Sequence, residues 1–318
     1  MRLLSPFLWT ACVTPFSYKG DSIDYNGLQR LLTIQAEAGN GVVLLGSTGE
    51  NLSLTDHERR TLVDFVCKLK LRSIKIIVGV PGVNLYQALE WLDFCQGMPI
   101  YGYLMTTPIY TKPGIIGQTL WFEKLLEKAH VPVMLYNIPS RAGVNLYVET
   151  VCNLSSHERF WAIKDSSGDI DTLVNYKKVA PDIEVFCGDD NMILDMAACG
   201  AVGLVSVASN LWPYAVHKYV KRCLLSFQHY ALGSWKKTTT QVVENRVKKN
   251  SLDIWQQACK ALYIASNPIP TKVLLHDIGL IEHETVRLPL SIEDLPSIEI
   301  LRQVNKMILK WEEGLTNN

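Results

Sequence analysis

Eight short apolar runs recur along the chain, and the segments between them have the spacing of amphipathic helices. Each run is rich in Val, Ile, Leu or aromatic residues and is nearly continuous, which is typical of strands buried on both faces of a parallel sheet. The runs are 8–16, 41–46, 74–80, 101–107, 131–138, 160–164, 183–187 and 202–208. Eight strand–helix units without an internal linker predict an α/β fold, a (β/α)8 or TIM barrel, and leave a doubly wound open sheet as the alternative.

Helix boundaries carry the expected end signals. The segment 22–39 begins at a Ser or Asp cap and ends on Gly39, at the position where a C′ glycine belongs. Thr55 is followed three residues later by Glu58, which predicts a capping box. These signals support helices between the first strands.

After about residue 226 the strand pattern stops and only helical patterns follow. We therefore predict a barrel over 1–226 that carries the active site, followed by a C-terminal helical domain over 227–318. The basic segment 236–250 has its valines at helical spacing and predicts a solvated helix face.

Charge and composition narrow the class of protein. Lys plus Arg (31) equals Asp plus Glu (31), so no net field attracts nucleic acid or an anionic membrane. The apolar start of the chain loosely imitates a signal peptide, but Pro6 interrupts it and a strand is predicted instead. No run is long enough to predict a transmembrane helix, and a cytoplasmic location is expected.

The eight cysteines are scattered without a C-x-x-C pair, which predicts free thiols in a reducing compartment. The seven histidines lack the short spacings of metal ligands, so the sequence does not indicate a metal site.

Polar, chemically capable residues follow six of the eight predicted strands. In a barrel of this kind the carboxyl ends of the strands meet at one rim, where active sites lie. Six such clusters therefore predict a site at that rim, although strand ends are often polar simply because loops begin there. The clusters are GSTGE (46–50), TTPIY (106–110), YNIPSR (136–141), KDSSGD (164–169), GDD (188–190) and SVASN (206–210).

Lys164 ends the apolar strand FWAIK and is the most informative of these residues. Burial lowers the pKa of a lysine, and a neutral amine can attack a ketone to form a Schiff base. An ion pair with Asp165 is the structural alternative. Tyr136 ends the preceding strand, so its phenol can lie beside Lys164 and move protons. Arg141 can hold a substrate carboxylate, or it can form a surface salt bridge.

The chain resembles the dihydrodipicolinate synthases, pyruvate-dependent class I aldolases of the N-acetylneuraminate lyase superfamily. The shared motifs occur in the family's order over nearly the whole chain: TPF, GSTGE, TTPIY, YNIPSRAGVNL, IKDSSGD, CGDDNMILD, GLVSVASN and NPIPTK. The resemblance implies a (β/α)8 barrel with a C-terminal helical domain, a homotetramer built as a dimer of dimers, and no metal or organic cofactor. Whether the chain forms the tetramer or only a homodimer is left open.

The resemblance also implies catalytic roles. Lys164 would form the Schiff base, and Tyr136 would be the central proton donor and acceptor. Ser47 takes the place of a threonine usual in the family's proton relay and keeps its hydroxyl. Tyr110 would be the third member of the relay, reaching across a dimer interface into the neighbouring subunit's site.

The implied substrates are pyruvate and L-aspartate 4-semialdehyde, which would condense to 4-hydroxy-tetrahydrodipicolinate in diaminopimelate and lysine biosynthesis. Thr48 and Val205 would hold pyruvate, with Thr48 at its carboxylate, and Gly188 would line the pocket. Arg141 would bind the carboxylate of the semialdehyde.

Two alternative functions share part of this pattern. An N-acetylneuraminate lyase, or another pyruvate-dependent sugar-acid aldolase, shares GSTGE, YNIP and the lysine strand, but Arg141, GDDN and NPIPTK favour the synthase. A barrel kept as a scaffold or regulator would not be expected to retain every reactive side chain.

Lysine inhibition is expected to be weak or absent. Lysine-sensitive relatives have a tyrosine before the relay tyrosine, where this chain has Ile109, and a glutamate where it has Ala88. Asp56 and Arg59 stand where inhibited bacterial forms often have histidines.

Overall fold

Eight parallel strands close into a barrel in chain order in the computed structural model, which describes residues 5–69, 71, 74–227 and 249–316. The last strand pairs with the first, which confirms the closed barrel and rules out the open sheet. The strands are β1 (Leu8–Ala11), β2 (Gly41–Leu44), β3 (Ile76–Gly79), β4 (Gly102–Thr106), β5 (Val133–Asn137), β6 (Phe160–Asp165), β7 (Glu184–Cys187) and β8 (Gly203–Ser206). Seven of the eight predicted runs contain one of these strands, including the run at the apolar start of the chain, and the run 160–164 covers all of β6 except Asp165.

Helices cover the outside of the barrel. They are α1 (Tyr25–Glu37), α2 (Asp56–Lys68), α3 (Leu85–Cys95), α4 (Ile115–Lys128), α5 (Pro139–Ala142), α6 (Val148–Leu154), α7 (Ile170–Val179), α8 (Ile193–Ala198), α9 (Pro213–Phe227), α10 (Lys249–Ala261), α11 (Ile269–Asp277) and α12 (Glu299–Thr316). The predicted end signals are confirmed: Gly39 has a φ of +74°, and Thr55 and Glu58 form a capping box.

Aromatic rings fill the amino-terminal half of the barrel interior. Trp9 of β1 lies 5.3 Å from the Tyr101 ring and 6.1 Å from the Trp161 ring, and Trp161 lies 5.6 Å from Phe186. A side chain at Gly41 on the neighbouring strand would overlap the Trp9 ring, so only glycine leaves room for it. These rings form a floor beneath the carboxyl-terminal rim.

The helices after residue 249 pack against the barrel. Trp255 of α10 donates its indole N–H to the Asp190 carbonyl at 2.8 Å, and the Trp212 indole donates to Asn305 of α12 at 2.8 Å. The C-terminal helical domain is thereby confirmed, whereas its boundary at residue 226 stays a prediction. Of the basic segment 236–250, residues 236–248 lie outside the described part of the chain.

All eight cysteines are free thiols, as predicted, and six of them are buried. No helix in the described ranges 5–69, 74–227 and 249–316 is long and apolar enough to cross a membrane.

Candidate active site

Lys164 lies inside the barrel near the carboxyl end of β6, and Tyr136 lies directly beside it on β5. Only 5% of the surface of either residue is exposed. The lysine Nζ lies 4.2 Å from the centroid of the phenol ring, over its face. The predicted burial of the amine and its proximity to the tyrosine are both confirmed.

Asp165 does not pair with Lys164, because successive side chains of a strand point to opposite faces. Its carboxylate points outward and accepts hydrogen bonds from Asn137 Nδ2 at 2.8 Å and from the Ser167 backbone N–H and hydroxyl at 3.2 and 3.0 Å. Burial raises the pKa of Asp165 to about 6, although these hydrogen bonds oppose the rise. The ion-pair alternative for Lys164 is therefore not what the structure shows.

Two further carboxyls, Asp189 and Asp190, follow β7 close to the Lys164 amine. Burial raises the pKa of both, and a positive charge on Lys164 opposes that rise. Asp190 also fixes the end of β8: it accepts the Ser206 hydroxyl at 2.5 Å and the backbone N–H of Val207 at 2.9 Å. This anchoring role of Asp190 was missed by the sequence analysis, which had only the GDD motif as a signal.

Gly188, just before these acids, lies against the end of β6. A Cβ at this position would overlap Ser166 Oγ and would lie 3.0 Å from Lys164 Cε and 3.0 Å from the Asp165 carbonyl oxygen. The lack of a side chain at Gly188 therefore leaves room for the Ser166 hydroxyl and for the lysine stem, whereas its predicted place in the lining of the substrate pocket stays a prediction.

The GSTGE turn follows β2 and is bounded by two residues with left-handed backbone, Leu45 (φ +57°) and Glu50 (φ +52°). Ser47 is exposed, whereas Thr48 is buried. The Thr48 hydroxyl oxygen accepts a hydrogen bond from Asn267 Nδ2 at 2.9 Å. The turn therefore presents one hydroxyl to solvent and holds the other in the wall of the barrel.

A cavity of about 300 Å³ opens at the rim and is bordered by three of the predicted site residues, Ser47, Tyr136 and Arg141. Thr107, also on this cavity, has a buried hydroxyl without a partner and was not predicted. Arg141, in α5, is exposed and its guanidinium donates to the Asn267 carbonyl at 3.4 Å. A surface salt bridge is the alternative role predicted for Arg141, and the described part of the chain contains no such pair.

Five of the eight predicted residues do not line this cavity: Lys164, Thr48, Gly188, Val205 and Tyr110. Val205 of β8 is fully buried and packs with Tyr136 in the cluster that fills the barrel interior. Tyr110 is 92% exposed and has a φ of +68°, a conformation rare for a residue with a side chain. The single chain therefore does not bring Tyr110 to Lys164, and the roles of all eight residues stay predictions.

No group of three or more His, Cys, Asp or Glu side chains in the described ranges is arranged to hold a metal ion. Ser47, Tyr136 and Arg141 bring a hydroxyl, a phenol and a guanidinium to the cavity, and the Lys164 amine lies over the Tyr136 ring.

Comparisons with known proteins match nearly the whole chain to one family. A model of the dihydrodipicolinate synthetase family matches residues 7–306. A 4-hydroxy-tetrahydrodipicolinate synthase of Wolbachia pipientis wMel is 74% identical over 98% of this chain and 99% of its own.

Solved structures of the same kind superpose closely. The 4-hydroxy-tetrahydrodipicolinate synthase of Methylacidiphilum fumariolicum SolV matches with a TM-score of 0.84 at 28% identity, over 98% of this chain and 99% of its own. A dihydrodipicolinate synthase of Acinetobacter baumannii, complexed with pyruvate, matches with a TM-score of 0.80 at 26% identity, over 98% of this chain and 100% of its own.

Proposed function

The chain belongs to the dihydrodipicolinate synthetase family, and from that premise we propose that it condenses pyruvate with L-aspartate 4-semialdehyde to give 4-hydroxy-tetrahydrodipicolinate. The reaction would serve diaminopimelate and lysine biosynthesis. The observation that carries the proposal is the Lys164 amine, buried inside the barrel and 4.2 Å from the Tyr136 ring. The relatives compared above carry the synthase name, and none of them favours the sugar-acid lyase.

The first half of the reaction joins pyruvate to the enzyme. The neutral amine of Lys164 attacks the ketone carbon, and the resulting carbinolamine loses its oxygen as water to leave an iminium. Tyr136 supplies the proton for the departing water, with Ser47 and Tyr110 completing the proton relay. The iminium is the electron sink that the next step requires.

The second half makes the carbon–carbon bond. The iminium acidifies the adjacent methyl group, and loss of a proton gives an enamine. The enamine carbon adds to the aldehyde carbon of the semialdehyde. The substrate's own amine then attacks the imine carbon, which closes the ring and releases Lys164.

The remaining site residues bind the substrates. In the proposal, Thr48 donates to the pyruvate carboxylate, Val205 packs against the same substrate, and Gly188 keeps the pocket open beside the lysine. Arg141 binds the semialdehyde carboxylate, since its exposed side chain borders the same rim cavity as Tyr136.

Assembly and location extend the proposal. The chain would act in the cytoplasm as a homotetramer, a dimer of dimers, or as a homodimer, and would bind small molecules rather than nucleic acid or membrane. The formal net charge of zero supports the proposal of small-molecule partners. The exposure of Tyr110, which projects almost fully from the single chain, supports the proposal of self-association.

Trapping with borohydride tests the proposal. Reduction in the presence of pyruvate should leave a pyruvate adduct on Lys164, located by peptide mass spectrometry, and Lys164→Ala should abolish it. Lys177→Ala is a matched control, because this half-buried lysine donates to the Pro181 carbonyl on the outside of the barrel. An unmodified Lys164 under turnover conditions would contradict the Schiff base. Assays with semialdehyde and with N-acetylneuraminate then separate synthase from lyase.

A further inference from the structure

The NPIPTK motif has no role in the reaction described above, yet the structure places its first residue against the site. Asn267 precedes α11 and is 6% exposed. Its Nδ2 donates to Thr48 Oγ1 at 2.9 Å, although the two residues are 219 positions apart. Its backbone carbonyl accepts the Arg141 guanidinium at 3.4 Å. One residue of the C-terminal helical domain therefore contacts both groups proposed to bind carboxylates.

The direction of the Asn267–Thr48 bond has a chemical consequence. An amide NH2 group can only donate, so the Thr48 oxygen is the acceptor in this bond. The hydroxyl hydrogen of Thr48 must then point to a different acceptor. A hydroxyl that is already accepting one hydrogen bond is held as a donor, which is what a carboxylate ligand requires.

The segment that carries Asn267 is anchored to the same turn by a buried ion pair. Lys272 Nζ lies 2.5 Å from Glu50 Oε1, with side-chain exposures of 0% and 1%. The other Glu50 oxygen accepts the Arg287 backbone N–H at 2.8 Å. Separating a buried pair leaves charges without partners, which is costly. The GSTGE turn and the Asn267 segment are therefore held as one unit.

We propose that Asn267 is a positioning residue that holds the Thr48 hydroxyl as a hydrogen-bond donor toward the pyruvate carboxylate. The inference rests on the proposed function. Asn267 acts through Thr48 and takes no part in proton transfer or in the covalent steps.

A double-mutant cycle with Asn267→Ala and Thr48→Val tests it. Asn267→Ala should raise the pyruvate KM about tenfold, because one oriented hydrogen bond is lost, while kcat changes little. In the Thr48→Val background the same change should raise the pyruvate KM less than about twofold, because no hydroxyl remains to be oriented. An equal rise in both backgrounds would overturn the proposal.

Asn40→Ala is the matched control for a purely structural effect. Asn40 is also a buried asparagine, and its Nδ2 donates to Gln35 at 2.8 Å at the amino end of β2, away from the rim. The Asn40→Ala substitution should lower the midpoint of thermal unfolding and leave the pyruvate KM unchanged. A KM that rises with Asn40→Ala as much as with Asn267→Ala would assign the effect to stability alone.

Asn267→Asp provides a second variant of nearly the same size in case the alanine variant does not fold. A carboxylate only accepts, so the Thr48 hydroxyl must turn to donate to it, and the pyruvate KM should rise more than with alanine. An unchanged KM would overturn the proposal. Failure of the proposed function can be told apart from failure of this inference. If the proposed function is wrong, the wild-type protein gives no pyruvate adduct on Lys164. If the adduct forms but the Asn267 and Thr48 substitutions show no coupling in the pyruvate KM, only the role of Asn267 is contradicted.

Discussion

At the scale of single residues, adjacent positions on β6 have opposite environments. Lys164 points into the barrel toward Tyr136, and Asp165 points outward to Asn137 and Ser167. The charge of the aspartate is therefore satisfied by neutral donors and not by its neighbour. Asp165 is therefore not the partner of the lysine, and the carboxyls close to the Lys164 amine are those of Asp189 and Asp190.

Asp165 should make stability depend on pH. Burial raises its pKa to about 6, so the folded chain keeps this proton at pH values where the unfolded chain has lost it. Its contribution to the free energy of unfolding is full below pH 4 and is lost as the pH rises through 6, by about 3 kcal/mol. Asp165→Asn should flatten that part of the profile in urea unfolding between pH 4 and 7. Parallel profiles of variant and wild type would contradict this.

Arg141→Ala should separate the two substrates. Loss of a charged donor should raise the semialdehyde KM roughly 10- to 100-fold, while pyruvate trapping on Lys164 is retained. Arg159→Ala is the control, because this arginine precedes β6 at the opposite end of the barrel and lies within 3.4 Å of the Glu158 carboxylate. Loss of pyruvate trapping in the Arg141 variant would show that it acts on the first substrate.

At the scale of elements, the predicted strands begin close to the observed ones, but six of the eight run too long at the rim. The run 8–16 contains β1, which ends at Ala11, yet Cys12, Val13 and Phe16 beyond it are also buried. The residues of these turns are apolar because they are buried at the rim, although they do not take part in the hydrogen bonding between strands. Periodicity detects burial and cannot tell a strand from a buried turn.

The neighbours of β5 and β6 could be predicted because strands adjacent in the sequence are adjacent in the barrel. The contacts of Asn267 with Thr48 and of Lys272 with Glu50 could not, because each joins residues more than 200 positions apart. Nothing local to NPIPTK indicates which strand end it covers. Side-chain contacts of this kind depend on how the C-terminal helical domain docks, which no periodicity encodes.

Gly188→Ala tests how closely β7 approaches the lysine. The new methyl group would overlap Ser166 Oγ and would lie 3.0 Å from the Asp165 carbonyl oxygen and from Lys164 Cε, so the end of β6 that carries the amine would have to shift. We expect kcat/KM for pyruvate to fall by about 10²-fold, since small misplacements of a reacting group have effects of that size. Gly314→Ala, where an added Cβ meets nothing within 4 Å, should leave activity unchanged. Wild-type activity in the Gly188 variant would show that the lysine tolerates displacement.

At the scale of the whole molecule, Tyr110 is tied to its own chain by its backbone N–H, which donates to the Ala142 carbonyl at 3.3 Å, while its side chain is exposed. A phenol that is 92% exposed, on a backbone with a φ of +68°, is held outward from the rim. If it completes a neighbour's relay, the dimer and not the chain is the catalytic unit.

Mixing two inactive variants tests whether Tyr110 completes the site of the neighbouring subunit. Tyr110→Phe and Lys164→Ala should each be nearly inactive alone. After subunit exchange, half of the dimers are mixed and each has one intact site, so about a quarter of the wild-type activity should return. Tyr136→Phe mixed with Lys164→Ala should restore nothing, because both defects fall in sites that no partner can complete. Failure of the first mixture to regain activity would contradict a shared site.

Inhibition by lysine is also argued at this scale, because the resemblance implies an effector pocket at the dimer interface. Ala88 is fully buried in α3 and provides no carboxylate for an ammonium ligand. We therefore expect lysine to inhibit weakly or not at all, measured as initial rate against lysine concentration in the semialdehyde assay. Half-maximal inhibition at sub-millimolar lysine would prove the expectation wrong.

The ring-filled floor gives the barrel only one open end. Trp9, Tyr101, Trp161 and Phe186 fill the amino-terminal half, so the open end is the carboxyl-terminal rim, where Arg141 borders the cavity. Pyruvate must reach the deeper amine before a second molecule occupies the mouth above it. Excess semialdehyde should consequently obstruct its own reaction partner, and the cyclised product must depart before the next turnover can start.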